Sequence, residues 1–111
     1  MEKPISEMGF NELINWAESQ IVSSIGKNDY ANFVGKLVIQ SVETGYKNGE
    51  KTKAASKPEK DTMSLDDLIA WSRGTVLLAI GKGELKVGLS SVVNKAMYTG
   101  FNNYLYHKSK S

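Results

Sequence analysis

The sequence contains no cysteine, a single histidine and two prolines among its 111 residues. Without cysteine the chain has neither disulfides nor thiolate ligands, and this absence is compatible with a reducing, cytoplasmic location. His107 is the one histidine and lies in a predicted C-terminal tail, so Ser/His/Asp catalysis and a histidine-based metal site are not expected. We therefore predict a non-enzymatic protein with no cofactor and no metal ion.

Long apolar runs are also missing. The longest run, at residues 76–80, is far shorter than the roughly 20 residues that a membrane-spanning helix needs. Residues 1–20 have no apolar segment typical of a secretory signal, so neither a membrane contact nor export is expected. The net charge of +2 is too small to indicate nucleic-acid binding by itself.

What the sequence does contain is an internal repeat with a period of 55 residues. When residues 63–111 are aligned without gaps to residues 8–56, 13 of the 49 pairs are identical. The identical pairs include Leu13/Leu68, Trp16/Trp71, Gly26/Gly81, Lys27/Lys82, Val38/Val93 and Gly45/Gly100. A repeat of this kind predicts a duplicated structural unit, although the tetratricopeptide, ankyrin and armadillo signatures are absent.

Each copy shows the three- and four-residue spacing of apolar side chains that is typical of amphipathic helices. In the first copy, a helix is predicted to begin near Phe10 and end at Gly26, and a second helix to begin near Asp29. In the second copy the corresponding end is Gly81 and the next start is Glu84, because glycine readily adopts the left-handed conformation that ends helices. Each copy is thus predicted to be a helical hairpin.

The second copy has the stronger helix start. Ser64 can accept a hydrogen bond from the backbone at Asp67, as an N-terminal cap does. Met63 and Leu68 have the spacing of the apolar pair that often flanks such a cap. In the first copy Gly9 occupies the cap position, which predicts a weaker start.

These patterns predict an all-α fold in which two tandemly duplicated helical hairpins pack as a pseudo-twofold four-helix bundle. Residues 8–48 and 63–106 form the hairpins of one domain, preceded by a lead-in at residues 1–7 and followed by a tail at residues 107–111. Residues 49–62, which carry alternating charges and a proline, are predicted to be a flexible linker. The linker is long enough for the hairpins to pack within one chain or to exchange between two chains.

Leu77 and Leu78 extend the apolar surface of the predicted third helix beyond its core stripe. A helix that is apolar on more than one face is usually covered on more than one face. In a bundle this small the extra face predicts a subunit interface, so a homodimer is one expected assembly.

Trp16 and Trp71 occupy equivalent positions at the edge of the core stripe. One interpretation is that each ring covers a seam between helices and keeps its N–H near solvent. The other interpretation is that the two rings form paired aromatic platforms for a partner. Both interpretations remain open from the sequence.

The late part of each second helix combines glycine, aromatic residues and lysines. Gly45 and Gly100 are predicted to admit a neighbouring helix, since glycine within a helix otherwise lowers its stability. Tyr46, Phe101 and Tyr104 are candidate partner-binding residues beside them. Aromatic side chains interleaved with lysines also suit base stacking combined with neutralisation of phosphates.

The predicted inter-helix turns each contain a Gly-Lys pair, Gly26-Lys27 and Gly81-Lys82. Free backbone N–H groups before a helix could hold a phosphate there, so these four residues are candidate anion ligands. The alternative interpretation is a glycine that ends one helix and a lysine that complements the negative end of that helix.

Together these features predict a small non-enzymatic helical binding protein that acts on a macromolecular partner, most simply another protein. In size and in its lysine, asparagine and serine content the chain is reminiscent of phage or mobile-element accessory proteins. The alternative is a nucleic-acid or nucleotide-phosphate binding module that uses the Gly-Lys turns and the basic aromatic C-terminal end. A purely self-assembling structural module is a third hypothesis.

Overall fold

The computed structural model describes residues 3–24, 29–53, 57 and 63–110, and within these ranges it contains helices and no strand. After a 3-10 turn at Ile5–Glu7, the helices are α1 (Phe10–Ser24), α2 (Tyr30–Thr52), α3 (Leu65–Lys82) and α4 (Leu85–Lys110). They form a flattened body of 47 × 34 × 19 Å. The predicted all-α class is confirmed. None of the four described helices has an apolar stretch of the length needed to traverse a bilayer.

All four helices contribute to one core. Its fully buried members are Leu13, Ile14, Ala17 and Ile21 of α1, Val34, Leu37 and Val38 of α2, Leu68 and Val76 of α3, and Leu89, Val92, Val93 and Ala96 of α4. Their spacing turns one stripe of each helix inward, as predicted. The stripes begin later than predicted, because Phe10 and Leu65 are 37% and 46% exposed.

α2 and α4 form the most extensive helix pair of the described chain. Where they meet, Gly45 lies directly against the backbone of Met97, and Gly100 lies directly against the backbone of Val42. A β-carbon at either glycine would overlap a carbonyl oxygen of the other helix. The close approach predicted for these two glycines is therefore confirmed.

Beyond this crossing the two helices continue side by side in the same direction. A β-carbon built on Gly49 would lie 2.7 Å from Cδ2 of Tyr104. The rings of Tyr46 and Tyr104 are in contact, and Tyr46 also reaches His107 near the end of α4. The C-terminal ends of α2 and α4 are thus brought together at one end of the molecule.

α3 and α4 approach each other closely at one point. A β-carbon on Gly88 would lie 2.5 Å from Cβ of Ala79, so α3 and α4 have no room for a larger residue there. In the sequence repeat, Gly88 corresponds to Phe33. The repeat therefore pairs a glycine with a large aromatic residue at this position.

The end of α3 differs from the prediction. The helix continues through Gly81 to Lys82, and Gly83 takes the left-handed conformation with φ 70°. The Gly83 N–H donates a hydrogen bond to the carbonyl oxygen of Ile80 at 3.2 Å, which closes the last turn. The prediction that Gly81 ends the helix is therefore wrong by two residues. The matching prediction for Gly26 lies outside the described residues.

Two other boundaries also differ. α2 continues to Thr52, where the side-chain hydroxyl donates to the carbonyl oxygen of Asn48 at 2.9 Å, so residues 49–52 belong to the helix and not to the predicted linker. Of the remaining predicted linker, residues 54–56 and 58–62 lie outside the described residues. α4 continues to Lys110, so the predicted tail is helical over 107–110. Contacts between the ends of α2 and α4 explain both extensions.

As predicted, α3 has a side-chain cap at its N-terminus and α1 does not. The Asp67 N–H donates to Oγ of Ser64 at 3.2 Å, which confirms the cap of α3. At α1 there is no side chain on Gly9 to act as a cap. Instead, the Gly9 N–H donates to Oε1 of Glu12 at 3.3 Å, so a residue inside the helix reaches back to its start.

Candidate functional site

Trp16 and Trp71 are half-buried, and each ring is engaged by a different neighbour. The ring of Trp16 meets Phe33 edge-to-face, with centroids 6.3 Å apart and planes at 75°. The Nζ atom of Lys95 lies 5.0 Å from the ring centroid of Trp71. Since Phe33 is on α2 and Lys95 is on α4, these contacts fit the interpretation in which each tryptophan covers a seam. A role as partner platforms stays a prediction.

An open groove of about 500 Å³ borders Trp16. At its edge Lys3 pairs with Glu12 at 3.3 Å, and Met8 contributes an apolar wall. The hydrogen bond from the Gly9 N–H, followed by that from Lys3, lowers the pKa of Glu12 below its ordinary value. The groove therefore has one fixed ion pair and no second carboxyl beside it that could complete an acid/base pair.

The second Gly-Lys pair is helical, whereas the anion-site prediction placed it in an inter-helix turn. Gly81 and Lys82 lie inside the last turn of α3 and are exposed. The N–H of the actual turn glycine, Gly83, is already donated to the Ile80 carbonyl oxygen. Lys82 is placed to complement the negative end of α3, which is the alternative interpretation. Gly26 and Lys27 lie outside the described residues.

The C-terminal ends of α2 and α4 bring two predicted residues, Tyr46 and Tyr104, into contact with each other, and Tyr46 also contacts His107, which was assigned to the tail. We call Tyr46, Tyr104 and His107 the terminal aromatic cluster. The two tyrosine rings pack edge-to-face at 5.6 Å and 89°, and the Tyr46 hydroxyl lies 3.2 Å from Nδ1 of His107. The cluster links the two helices through both ring packing and a hydrogen bond.

Lysines surround the terminal aromatic cluster. Nζ of Lys108 is 5.9 Å from the ring centroid of Tyr104, and Nζ of Lys110 is 4.3 Å from that of Tyr106. The last turns of α2 add the exposed Lys47, Lys51 and Lys53, of which Lys47 pairs with Glu43 at 3.0 Å. Both helices present their negative dipole ends here, which favours cationic side chains. The result is a basic, aromatic end of the molecule.

Phe101 and Tyr46, which occupy equivalent positions, line two different grooves. The groove beside Tyr46 has a volume of about 330 Å³ and is lined by Ile39, Val42, Glu43, Lys47, Glu50 and Leu65. The groove beside Phe101 has a volume of about 250 Å³ and is lined by Gly45, Asn48, Asn94, Met97 and Tyr98. The grooves share equivalent positions, such as Val42 and Met97, but the first is more apolar in its exposed rim.

The outer face of α3 is a surface that the sequence indicated only in part. Leu77 and Leu78 are 54% and 68% exposed, in agreement with an apolar surface outside the core. Gly74 and Gly81 belong to the same face, and a β-carbon on either would meet no atom within 4 Å. In the sequence, the three- and four-residue spacing of Gly74, Gly81 and the two leucines indicates a shared helix face. Because the helix was predicted to end at Gly81, that residue was not assigned to the face.

Within the described ranges no cluster of histidine, aspartate and glutamate could hold a metal ion. The surfaces available for function include the grooves beside Tyr46, Phe101 and Trp16, the basic aromatic end and the outer face of α3. A further groove of about 430 Å³ is bordered by Val22 and Val87. No family model, no curated protein and no solved structure matches this chain.

Proposed function

We propose that this chain is a small non-enzymatic helical binding protein that acts by occupying a protein partner. The observation that carries the proposal is the pair of grooves beside Tyr46 and Phe101. Exposed apolar side chains border them, with Ile39 51% and Leu65 46% exposed at one groove and Tyr98 48% exposed at the other. Exposed apolar and aromatic side chains beside a concave surface are typical of protein-binding sites.

The proposal includes a scaffold made of two duplicated hairpins related by a pseudo-twofold axis. Gly45 and Gly100 are 55 positions apart, and so are Val42 and Met97. The contact of Gly45 with Met97 and that of Gly100 with Val42 are therefore the same contact made twice with the roles exchanged. Such reciprocity is what a twofold relation between the hairpins requires.

The partner hypothesis can be tested by capture from extracts of the source cell, followed by mass spectrometry. A double substitution Ile39→Ser with Leu65→Ser removes apolar surface at the groove beside Tyr46 without touching the fully buried core. We expect it to reduce recovery of a specific protein at least about tenfold, as loss of a central apolar contact does. The matched control is Val22→Ser with Val87→Ser, since these side chains are also exposed but lie elsewhere.

Equal recovery by the groove variant and the parent would contradict this surface as the binding site. Circular dichroism of both variants should show unchanged helicity, because all four substituted side chains are at least 46% exposed. Loss of recovery in the control variant alone would move the site to the opposite end of the molecule.

A second candidate function, binding of single-stranded nucleic acid, is favoured by the basic aromatic end. Lys108 and Lys110 lie beside the rings of Tyr104 and Tyr106, respectively. Lys51 and Lys53 are exposed at the C-terminal end of α2, so a strand could stack on tyrosine while lysines neutralise its phosphates. The predicted contribution of Gly81 and Lys82 is no longer part of this hypothesis.

Fluorescence anisotropy with labelled single-stranded DNA and RNA at two salt concentrations tests this second candidate. We expect binding to weaken steeply between about 50 and 200 mM salt, and Lys51→Gln with Lys110→Gln to reduce the salt dependence by roughly two phosphate contacts. Lys82→Gln with Lys86→Gln, at the other end of the molecule, is the matched control. An absence of binding at low salt would remove nucleic acid from consideration.

A further inference from the structure

The outer face of α3 consists of Ala70, Gly74, Leu77, Leu78 and Gly81, all of which are exposed. It points directly away from the core, because the buried side chains Leu68, Ser72, Val76 and Ala79 occupy the opposite side of the helix. Leu78, at 68%, is the most exposed large apolar side chain of the described residues.

The glycines of this face have no packing explanation among the residues that the structure describes. Gly74 lies in mid-helix, and neither it nor Gly81 has positive φ, so the backbone does not require glycine. No atom lies within 4 Å of a β-carbon built on either, so packing does not require glycine. Glycine in a helix interior is nevertheless less stable than alanine. Elsewhere in this chain, at Gly45 and Gly100, helical glycine marks the close approach of another helix.

We infer that the outer face of α3 pairs with the same face of a second copy of this chain, with the two α3 helices antiparallel and crossing at Gly74. Positions 74, 77, 78 and 81 have the spacing of the four residues that form one hole in knobs-into-holes packing. Here glycines occupy the two ends of the hole and leucines its sides. Gly74 lies at the midpoint of α3, so full overlap of two antiparallel helices centres on it.

The charges along α3 select a second antiparallel copy as the occupant. Asp66 and Asp67 are exposed in the first turn, and Lys82 is exposed in the last turn. Antiparallel overlap places the acidic turn of each helix beside the basic turn of the other, and it also opposes the two helix dipoles. Arg73 does not interfere, because its Nε donates to the Ala31 carbonyl oxygen at 3.2 Å and the side chain is thereby directed towards α2.

The equivalent face of α1 provides a matched control within the same molecule. The duplication places Ser19 opposite Gly74 in the alignment, Val22 opposite Leu77 and Ser23 opposite Leu78. These three side chains are exposed, so substitutions there change a comparable helix surface. Because the face of α1 has serines where α3 has glycine and leucine, it should not pair. The inference does not depend on the proposed protein or nucleic-acid partner.

The first experiment measures oligomeric state by sedimentation equilibrium from low micromolar to about 1 mM protein, a range that detects dissociation constants of ordinary dimers. We expect a monomer–dimer equilibrium in the parent chain. Leu78→Glu should raise the dissociation constant at least about tenfold, since it places a charge at the centre of the interface. Val22→Glu on α1 should leave the constant within about twofold.

The second experiment tests the geometry and uses the absence of native cysteine. A chain with both Ala70→Cys and Leu78→Cys should form a disulfide-linked dimer readily under mild oxidation, because an antiparallel crossing at Gly74 places position 70 beside position 78 of the other copy and leaves the glycine in place. The equivalent pair on α1, Asn15→Cys with Ser23→Cys, should cross-link much more slowly. A chain that is monomeric up to about 1 mM, a dimer unaffected by Leu78→Glu, or equal cross-linking of the two pairs would overturn the proposal.

Discussion

The glycines at the crossing of α2 and α4 and the glycines on the outer face of α3 lie in helices of one chain but have opposite surroundings. Gly45 and Gly100 each press against the backbone of a neighbouring helix, whereas Gly74 and Gly81 face open space. A helical glycine carries the same intrinsic cost in both places. At the crossing, close packing offsets that cost. On α3 no atom of the described residues packs against either glycine, and the proposed pairing of two copies would supply the missing contact.

The largest effect in this comparison is expected from Gly45→Ala or Gly100→Ala. Each added methyl group would overlap a backbone carbonyl, which cannot rotate away as a side chain can. We expect a loss of about 3 kcal/mol or more in the free energy of unfolding, a large part of the stability of a small domain. Urea titration followed by tryptophan fluorescence measures it, and a loss below about 1 kcal/mol would show that the crossing is looser than described.

A smaller loss is expected from Gly49→Ala, because its neighbour is a side chain. The new β-carbon would lie 2.7 Å from the ring of Tyr104, which must shift and disturb its contact with Tyr46. We expect a net loss of about 1–2 kcal/mol. The loss should shrink when Tyr104→Ala is already present, and a double-mutant cycle that shows additive effects would contradict the contact.

A gain in stability is expected where a serine hydroxyl is buried and the corresponding position of the sequence repeat has alanine. Ser41 and Ser72 are fully buried, and their hydroxyls have no hydrogen-bond partner among the described residues. The equivalent positions are Ala96 and Ala17. We expect Ser41→Ala and Ser72→Ala each to raise the free energy of unfolding by about 1 kcal/mol.

The matched control for this gain is Ser24→Ala. Ser24 is also buried and also has alanine at its equivalent position, but its hydroxyl donates to the Ile21 carbonyl oxygen at 3.0 Å. Its removal should change stability little. If Ser24→Ala stabilises as much as the other two, helix propensity rather than the unpaired hydroxyl is the cause.

A comparable or smaller gain in the free energy of unfolding is expected from Gly74→Ala or Gly81→Ala. The same substitution at Gly45 is expected to lower the free energy of unfolding. At protein concentrations where the chain is monomeric, each substitution should raise the free energy of unfolding by about 0.5–1 kcal/mol through helix propensity alone. Thermal unfolding by circular dichroism at low concentration measures this gain. A loss of stability would show that these glycines have a structural role inside the monomer.

The smallest effect on stability is expected at the start of α1, where the backbone of a third glycine, Gly9, is hydrogen-bonded to Glu12. The pKa of Glu12 is lowered from its ordinary value of 4.5 by the Gly9 N–H and by Lys3. A lowered folded-state pKa means that the charged carboxylate stabilises the fold above the ordinary value and loses this effect as pH falls through the lowered one. Glu12→Gln should therefore be less stable than the parent at neutral pH, with the difference fading in acid.

Unfolding titrations of both proteins between about pH 7 and pH 3 measure that difference. A difference that stays constant over the range would show that the charge of Glu12 is not responsible.

The repeat and the apolar spacing predicted the class of fold, the four helices and most of the core, because these depend on patterns that recur many times along the chain. The crossing at Gly45 and Gly100 was also predictable. Both glycines lie on the apolar stripe of a helix at equivalent positions, and glycine there lowers helix stability unless another helix packs closely against it. The residues at which helices end were harder to predict from the sequence. Gly81 and Gly83 are both able to end α3, and the repeat favoured Gly81 because it has a counterpart in Gly26.

The residues that form each surface of the molecule were predicted least well. Which residues share a surface depends on which helix ends pack together, and the local sequence does not specify that. Tyr46 and Tyr104 were identified, but the contact of Tyr46 with His107 requires the extra turn of α4. The last turns of α2 and α4 are stabilised by packing against each other, although they are far apart in the sequence. Taken alone, their charged local sequences resemble a linker and a tail. The partner-binding role of Trp16, Trp71, Tyr46, Phe101 and Tyr104 remains a prediction.

The fit of Tyr104 against Gly49 also limits how the halves of this protein can associate. These two residues are counterparts in the repeat, so two first halves brought together would leave a void, and two second halves would force one phenol ring into another. Only a first half joined to a second half fills the space. At this point the two halves of the chain are therefore complementary in shape and not interchangeable.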